Sequence, residues 1–421
     1  LAVYQRVLAV HPTDVAAGTS AVRVSVRVRS WDAAAKCVLD RAVAIGELDE
    51  VLIGPLEHHL QGQAWESISS AMESAVAERT DAPQFVSRDL EARVAGWHRD
   101  RRADAHAAEA AYVRALAHDT QNVDLLGALA QLQRRARGRP LIDSLLRLSQ
   151  ATGGDLDLLR EAAEVAGGVV VDRALAKNII ERSLKIATER WLGSDEPPVS
   201  STQPALVVLH VDWALSELVR IHNEEGDAER IVELLRGAAK LPYPTERTRA
   251  MQHEAARVSL ERLGDSQTAL TLYAELFDGQ PGDALAASQL AELYTALSRP
   301  KDLLSLRHRQ IEQESDPFAR SDLRVLAARL QAQMGDSDAA IETLRASLSD
   351  TPRHPDSATD LGARLASTDR NAELCDLLTS QASLAEADGD KPAAVVLFAH
   401  AAVVADQKLA NLDRAEASLA R

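Results

Sequence analysis

A chain of 421 residues with 46% apolar side chains but only 3% aromatic ones, much of the apolar share being alanine, suits close stacking of helices better than a bulky sheet core. Its 63 acidic and 47 basic residues give a formal net charge of -16, a field that disfavours general binding to nucleic acid or anionic membranes. No run of 18 apolar residues occurs, and two cysteines, Cys37 and Cys375, exclude a disulfide framework. Cysteine usage mildly favours a reducing cytoplasm, while a periplasmic location stays open because Leu1 is not a natural start.

The opening residues form the second half of a helix stopped near Pro12. Tyr4, Leu8, Pro12 and Val15 recur as Tyr112, Leu116, Thr120 and Val123, and again as Tyr273, Phe277, Pro281 and Ala284. All three sets use the same spacing, which places an aromatic and an apolar residue one turn apart on a helix and then breaks it. The chain is therefore expected to begin inside a repeat of a longer parent.

Helical stripes follow over residues 30–45, through Trp31, Ala34, Ala35, Val38 and Ala42, then over 49–60 and through Trp65, Ile68, Ala71 and Val76. Thr80-Asp81-Ala82-Pro83 is a turn. Further helices are expected over 87–100, 103–117 and 123–135, and from Arg139-Pro140 through Leu148. Gly153-Gly154 and Gly167-Gly168 bracket another over 155–166. Residues 170–192 have a valine-rich start that suits a strand equally, but the charged residues after it fall at helical spacing, so helix is expected. With three prolines, 193–204 is the best linker or long inter-repeat loop.

Beyond it the punctuation becomes regular. Gly226-Asp227, Gly264-Asp265, Ser298-Arg299-Pro300 and Gly335-Asp336 each end one apolar-periodic segment and start the next, at intervals of 38, 34 and 37 residues. Such a period means stacked helix pairs that bury their faces against neighbours. The expected organisation is an irregular solenoid over 1–192, the linker, and a more regular solenoid over 205–421 that continues beyond the chain.

These residues resemble the tetratricopeptide repeat family. Ala269, Tyr273 and Pro281 fall at its small, aromatic and terminal proline positions; Leu290, Ala291 and Tyr294 match a first helix, although Arg307 replaces the aromatic of the second. Ala327, Ala328, Gly335, Ala340, Leu344 and Pro352 match a further unit, and Gly389, Ala394, Phe398 and Ala401 half of another. The resemblance implies an all-α, right-handed α-solenoid of stacked antiparallel helix pairs, with a concave groove lined by first helices. It would be a noncatalytic scaffold or adaptor that binds a peptide, helix or domain. The groove residues it implies are Glu254, Val258, Arg262, Glu292 and Arg329, a mixed, carboxylate-containing set suited to a partly basic, amphipathic segment. Two other functions stay open: a structural segment of a large multi-protein assembly, and the helical-repeat portion of an enzyme or its regulatory subunit.

Chemistry-bearing patterns are sparse. His253-Glu254-Ala255-Ala256-Arg257 has arginine where a zinc helix needs its second histidine. His58 and His59 point about 100° apart on a helix, and Arg101-Arg102 lies between His98 and His106. The glycine pairs lack the lysine and hydroxyl of a phosphate loop. The five tryptophans are expected to bridge helix layers, and the basic clusters Arg99 to Arg102 and Arg134 to Arg139 to be paired or solvated. No catalytic residue, metal ligand or cofactor site is assigned, and neither nucleic acid nor membrane insertion is expected.

Overall fold

The computed structural model describes residues 1–60, 62, 64–193 and 206–420. Among these are 23 α-helices and no strand. Two compact units divide them, Leu1–Glu225 and Gly226–Arg421. Apart from Gly193, the expected linker 193–204 lies outside the described residues.

The first unit contains α1 (Ala2–Val10), α2 (Val15–Arg27), α3 (Trp31–Ile45), α4 (Glu50–His59), α5 (Ala64–Glu78), α6 (Gln84–Asp100), α7 (Ala105–His118), α8 (Val123–Gln133), α9 (Arg139–Ala151), α10 (Leu156–Gly168), α11 (Arg173–Leu192) and α12 (Leu206–Glu225). The second contains α13 (Ala228–Ala238), α14 (Thr245–Glu261), α15 (Ser266–Gly279), α16 (Ala284–Ala296), α17 (Pro300–Gln313), α18 (Pro317–Gln333), α19 (Ser337–Asp350), α20 (Pro355–Ser367), α21 (Asn371–Ala387), α22 (Lys391–Gln407) and α23 (Leu412–Leu419). Within each unit most helix contacts join consecutive helices; α2 also meets α4, α3 meets α5, and α18 meets α20. This is the packing of a tetratricopeptide-like α-solenoid.

The Gly-Asp punctuation has a local cause. Gly264 and Gly335 have φ of 66° and 87°, left-handed values that cost glycine no Cβ clash. The next amide, of Asp265 or Asp336, turns back to Ser259 O or Gln331 O at 3.0 Å. The same aspartate then accepts from the backbone N–H three residues on, Thr268 or Ala339, at 3.0 Å. One dipeptide thus closes one helix and caps the next.

Asp104 and Asp172 cap α7 and α11 in the same manner, but the residues before them are Ala103 and Val171, with φ of 51° and 58°. The valine-rich stretch that suited a strand is therefore an inter-helix turn, and α11 starts only at Arg173. Tertiary packing of α10 on α11 and the Asp172 cap hold a β-branched residue where it is disfavoured.

Alanine lets the helices close up. Ala34, Ala42, Ala111 and Ala115 are fully buried in the first unit, as are Ala269 and Ala340 in the second. Beside them Tyr273, Leu344 and Phe398 fill the inter-helix space. At the position lacking an aromatic, Arg307 is half-buried, its Nη1 donating to Gln310 Oε1 at 2.7 Å, and burial lowers the pKa of its guanidinium.

Candidate partner-binding surfaces

Sequential stacking leaves clefts where two alternate helices stand apart above the one between them. One of about 340 Å³ lies between α1 and α3, and one of about 510 Å³ between α10 and α12. A third, of about 500 Å³, separates α20 from α22, and a fourth, of about 420 Å³, separates α19 from α21. The α20–α22 cleft is apolar: Leu374, Leu377 and Leu378 form its floor, with Ala358, Gly362 and Leu397 in its walls. The α10–α12 cleft is charged, lined by Arg160, Arg173, Arg220, Glu164, Glu217 and Glu224, and the Arg160 guanidinium lies 5.3 Å from the centre of the Trp213 ring. Trp65, Trp97 and Trp191 are buried, whereas Trp31, packed against the core, and Trp213 are half-buried.

Four of the five expected groove residues lie at the surface, and one does not. Val258 is only 2% exposed: α14 turns it inward beside Ala255, so it is corrected to a core residue. Glu254 projects from α14 and takes Arg257 in two hydrogen bonds, 2.6 and 2.9 Å, which hold its carboxyl below the ordinary range. Arg262 closes α14, is exposed, and adds to that positive field. Glu292 is exposed on α16. Both α14 and α16 pack on α15, where burial, then the negative charge of Glu261, raises the pKa of the Tyr273 phenol, Glu254 and Glu292 adding smaller contributions of the same sign. Arg329 belongs to a different place, tying α18 to α20 through Asp360 at 2.5 Å.

The α14–α16 face is braced at one end. Asp283 caps α16 by accepting from Ala286 N–H at 3.0 Å, and also receives His253 Nε2 at 2.8 Å and the Arg249 guanidinium. Burial alone would raise its pKa, but these donors together lower it. The histidine that began the incomplete zinc pattern is therefore an inter-helix brace.

Two clusters imitate catalytic arrangements. At the start of α20, His354 Nε2 lies 3.0 Å from Asp322 Oδ1, and its Nδ1 lies 2.8 Å from Ser357 Oγ. Ser357 N–H also donates to that Nδ1 at 3.2 Å, which leaves Nε2 as the protonated nitrogen, pointing at the carboxylate. The order carboxylate, imidazole, hydroxyl is that of a nucleophile triad, but Ser357 has no exposed surface and His354 is an N-cap. The hydroxyl additionally shares a 2.6 Å hydrogen bond with Ser347.

The second cluster joins α5, α6 and α7. Arg114 bridges Glu73 and Glu91 at 2.5 and 3.0 Å, and His98 is held between Glu73 at 3.0 Å and Arg102 at 2.6 Å. Burial opposes ionisation at both carboxyls; it prevails at Glu91, whose pKa is raised, whereas hydrogen bonds from His98 and Arg114 prevail at Glu73, whose pKa is lowered. None of these groups lines any of the four clefts, so the network fastens helices. Neither cluster was legible in the sequence, because its members lie 3 to 41 residues apart and only helix stacking assembles them.

Each basic stretch holds an arginine forked onto a carboxylate. Arg134 forks onto Glu161 with two bonds of 2.8 Å, and Arg99 onto Asp100 at 2.7 and 2.8 Å. Burial, aided by nearby Asp40, pushes the Cys37 thiol up to about 11, leaving it unreactive at neutral pH. Among the described residues no helix is long and apolar enough to cross a membrane.

No family model matches the chain, and neither does any curated protein. Among solved structures it is similar to one of Naa15/Naa10 bound to HypK-THB, at 13% identity and a TM-score of 0.31, over 99% of this chain and 78% of that one. It is also similar to a human IFIT1 dimer with m7Gppp-AAAA, at 12% and 0.27 over 93% and 90%, and to a tetratricopeptide repeat protein from Parabacteroides merdae, at 13% and 0.22 over 72% and 93%. At these values the likeness carries no inference about partner, ligand or activity.

Proposed function

We propose that this chain is a noncatalytic scaffold that docks a partly basic, amphipathic protein segment along the face of its alternate helices. The observation that carries the proposal is the α14–α16 face, where two helices packed on the same α15 present Glu254, half-exposed, and Glu292, exposed. Carboxylates gathered from separate helices form a surface for recognising charge, and the apolar cleft between α20 and α22 offers the same unit a place for greasy side chains. The test is a displayed library of 20-residue peptides selected on the full chain. Enriched peptides should combine lysine or arginine with apolar residues at helical spacing, and the double substitution Glu254→Arg plus Glu292→Arg should abolish their binding. Equal binding by the doubly substituted chain removes this face from the function.

A second function draws on α22. Val395, Val396 and Val403 are exposed there, Val396 to 67%, on a helix that is apolar all round. Such a helix suits a structural segment of a larger assembly. Light scattering on the full chain and on Val396→Lys distinguishes this: a partner-free monomer in both that binds the selected peptides equally favours the scaffold.

A further inference from the structure

We propose that the cleft between α1 and α3 binds a free aliphatic carboxylate, its head group on Arg41 and Lys36 and its alkyl chain along the apolar wall. The site belongs to the first unit and stands independently of the docking face above.

The repeat register shows how this cleft arises. Helices α1 to α3 correspond to α7 to α9 at a constant offset of 108 residues and to α15 to α17 at one of 269. Asp14, Asn122 and Asp283 cap the middle helix of each set, and Arg29, Arg137 and Ser298 make the turn after it with φ of 55°, 48° and 53°. In that register Leu129 and Leu290, each 2% exposed, stand where α2 has Ala21, and Leu145 and Leu306, also buried, stand where α3 has Cys37. Smaller side chains thus replace leucine at two positions of the first set, and both Ala21 and Cys37 line the cleft. Its volume, about 340 Å³, falls within the roughly 300–1,000 Å³ of small-molecule sites.

The charges of the cleft are peculiar to the first set as well. Arg41 and Lys36 line it, where the corresponding residues are Ser149 and Ser144 in one set and Gln310 and Ser305 in the other. Arg41 is only 8% exposed, and its Nε donates to Asp49 Oδ2 at 2.8 Å. Its Nη1 is buried and has no hydrogen-bond partner among the described residues. A buried charged donor left unmet costs more than an ordinary hydrogen bond contributes, so an anionic acceptor entering the cleft supplies what the packing does not. The nearby carboxylates are already engaged: Asp49 also caps α4, and Asp40 pairs with Arg79. Lys36, exposed on the same cleft, adds a second positive charge. Leu8, Ala9, Pro12 and Ala33 continue the wall. An alkyl chain suits that wall better than a peptide end, whose backbone amides would be buried against it.

Titration of the full chain with octanoate, and with octanamide as the same alkyl chain without charge, tests the site by calorimetry and NMR. Octanoate should bind, octanamide should bind about tenfold more weakly or not at all, and octanoate should shift the ¹⁵Nε resonance of Arg41. Arg41→Lys keeps a charge opposite Asp49 but loses Nη1, and should weaken octanoate about tenfold. Lys36→Gln, at an exposed position, should weaken it about threefold. Cys37→Leu restores the side chain of the two corresponding sets, leaves Arg41 and Asp49 in place, and should abolish binding by filling the cleft. Equal binding of the two ligands, or undiminished octanoate binding by Cys37→Leu, overturns the proposal. So does the absence of both heat and a shifted resonance at millimolar octanoate. Tighter binding of N-acetyl-leucine than of octanoate assigns the cleft to a chain terminus and overturns the free acid.

Discussion

Asp283 Oδ2 lies 2.8 Å from His253 Nε2, so a helix cap on α16 is simultaneously an anchor for α14. The carboxylate is nearly buried and its pKa is lowered, by donors that outweigh burial. Its contribution to stability is therefore fully present above the ordinary carboxylate range, near 3.9, and is lost as pH falls through the depressed folded value. Asp283→Ala should cost roughly 3 kcal/mol, joining loss of a cap to loss of a buried partner. Hydrogen exchange of α16 amides at pH 7 measures it, and wild-type protection there should persist down to pH 4. Unchanged exchange in the variant removes the brace.

The Asp322, His354 and Ser357 arrangement is structural. Ser357→Ala should destabilise the chain by about 2 kcal/mol, because Ser347 and His354 lose a buried partner. A fluorophosphonate probe should leave Ser357 unlabelled in the folded chain, since its side chain has no exposed surface. Stoichiometric labelling at Ser357 contradicts that.

Arg307 occupies an inter-helix position at which aromatic side chains serve the neighbouring units, as Tyr273 and Phe398 do. Its guanidinium is half-buried, and among the described residues its side-chain partner is Gln310. Replacing a partly desolvated charge by an apolar group of similar reach should stabilise α17 on α16: Arg307→Met is expected to gain about 1 kcal/mol, visible as a raised thermal midpoint. A lowered midpoint shows that the guanidinium holds something the apolar chain does not.

Val171, 69% exposed, packs little and sits at a φ of 58°. Val171→Asn keeps the turn and removes the penalty of a branched side chain in the left-handed region, which should add about 1 kcal/mol. Circular dichroism melting checks the sign, and Val171→Ile serves as the control that keeps the strain.

What the sequence determined by itself was whatever depends on near neighbours along the chain. A glycine followed by aspartate encodes a left-handed stop and a cap within two residues, and alanines three and four apart encode a face that lets helices approach; the helices and their order follow from those local rules. For the same reason the correspondence of Tyr4, Tyr112 and Tyr273 was visible as a recurrence of spacing. Tertiary structure alone decided which side chains meet across helices. It turned Val258 inward and Glu254 outward within one helix, moved the Val170 region from helix into a turn, set Arg329 against Asp360, and joined Asp322 to His354 and Ser357. Each of those outcomes depends on the rotation and spacing of stacked helices, which many side chains settle jointly through packing, and no single stretch of sequence contains that sum.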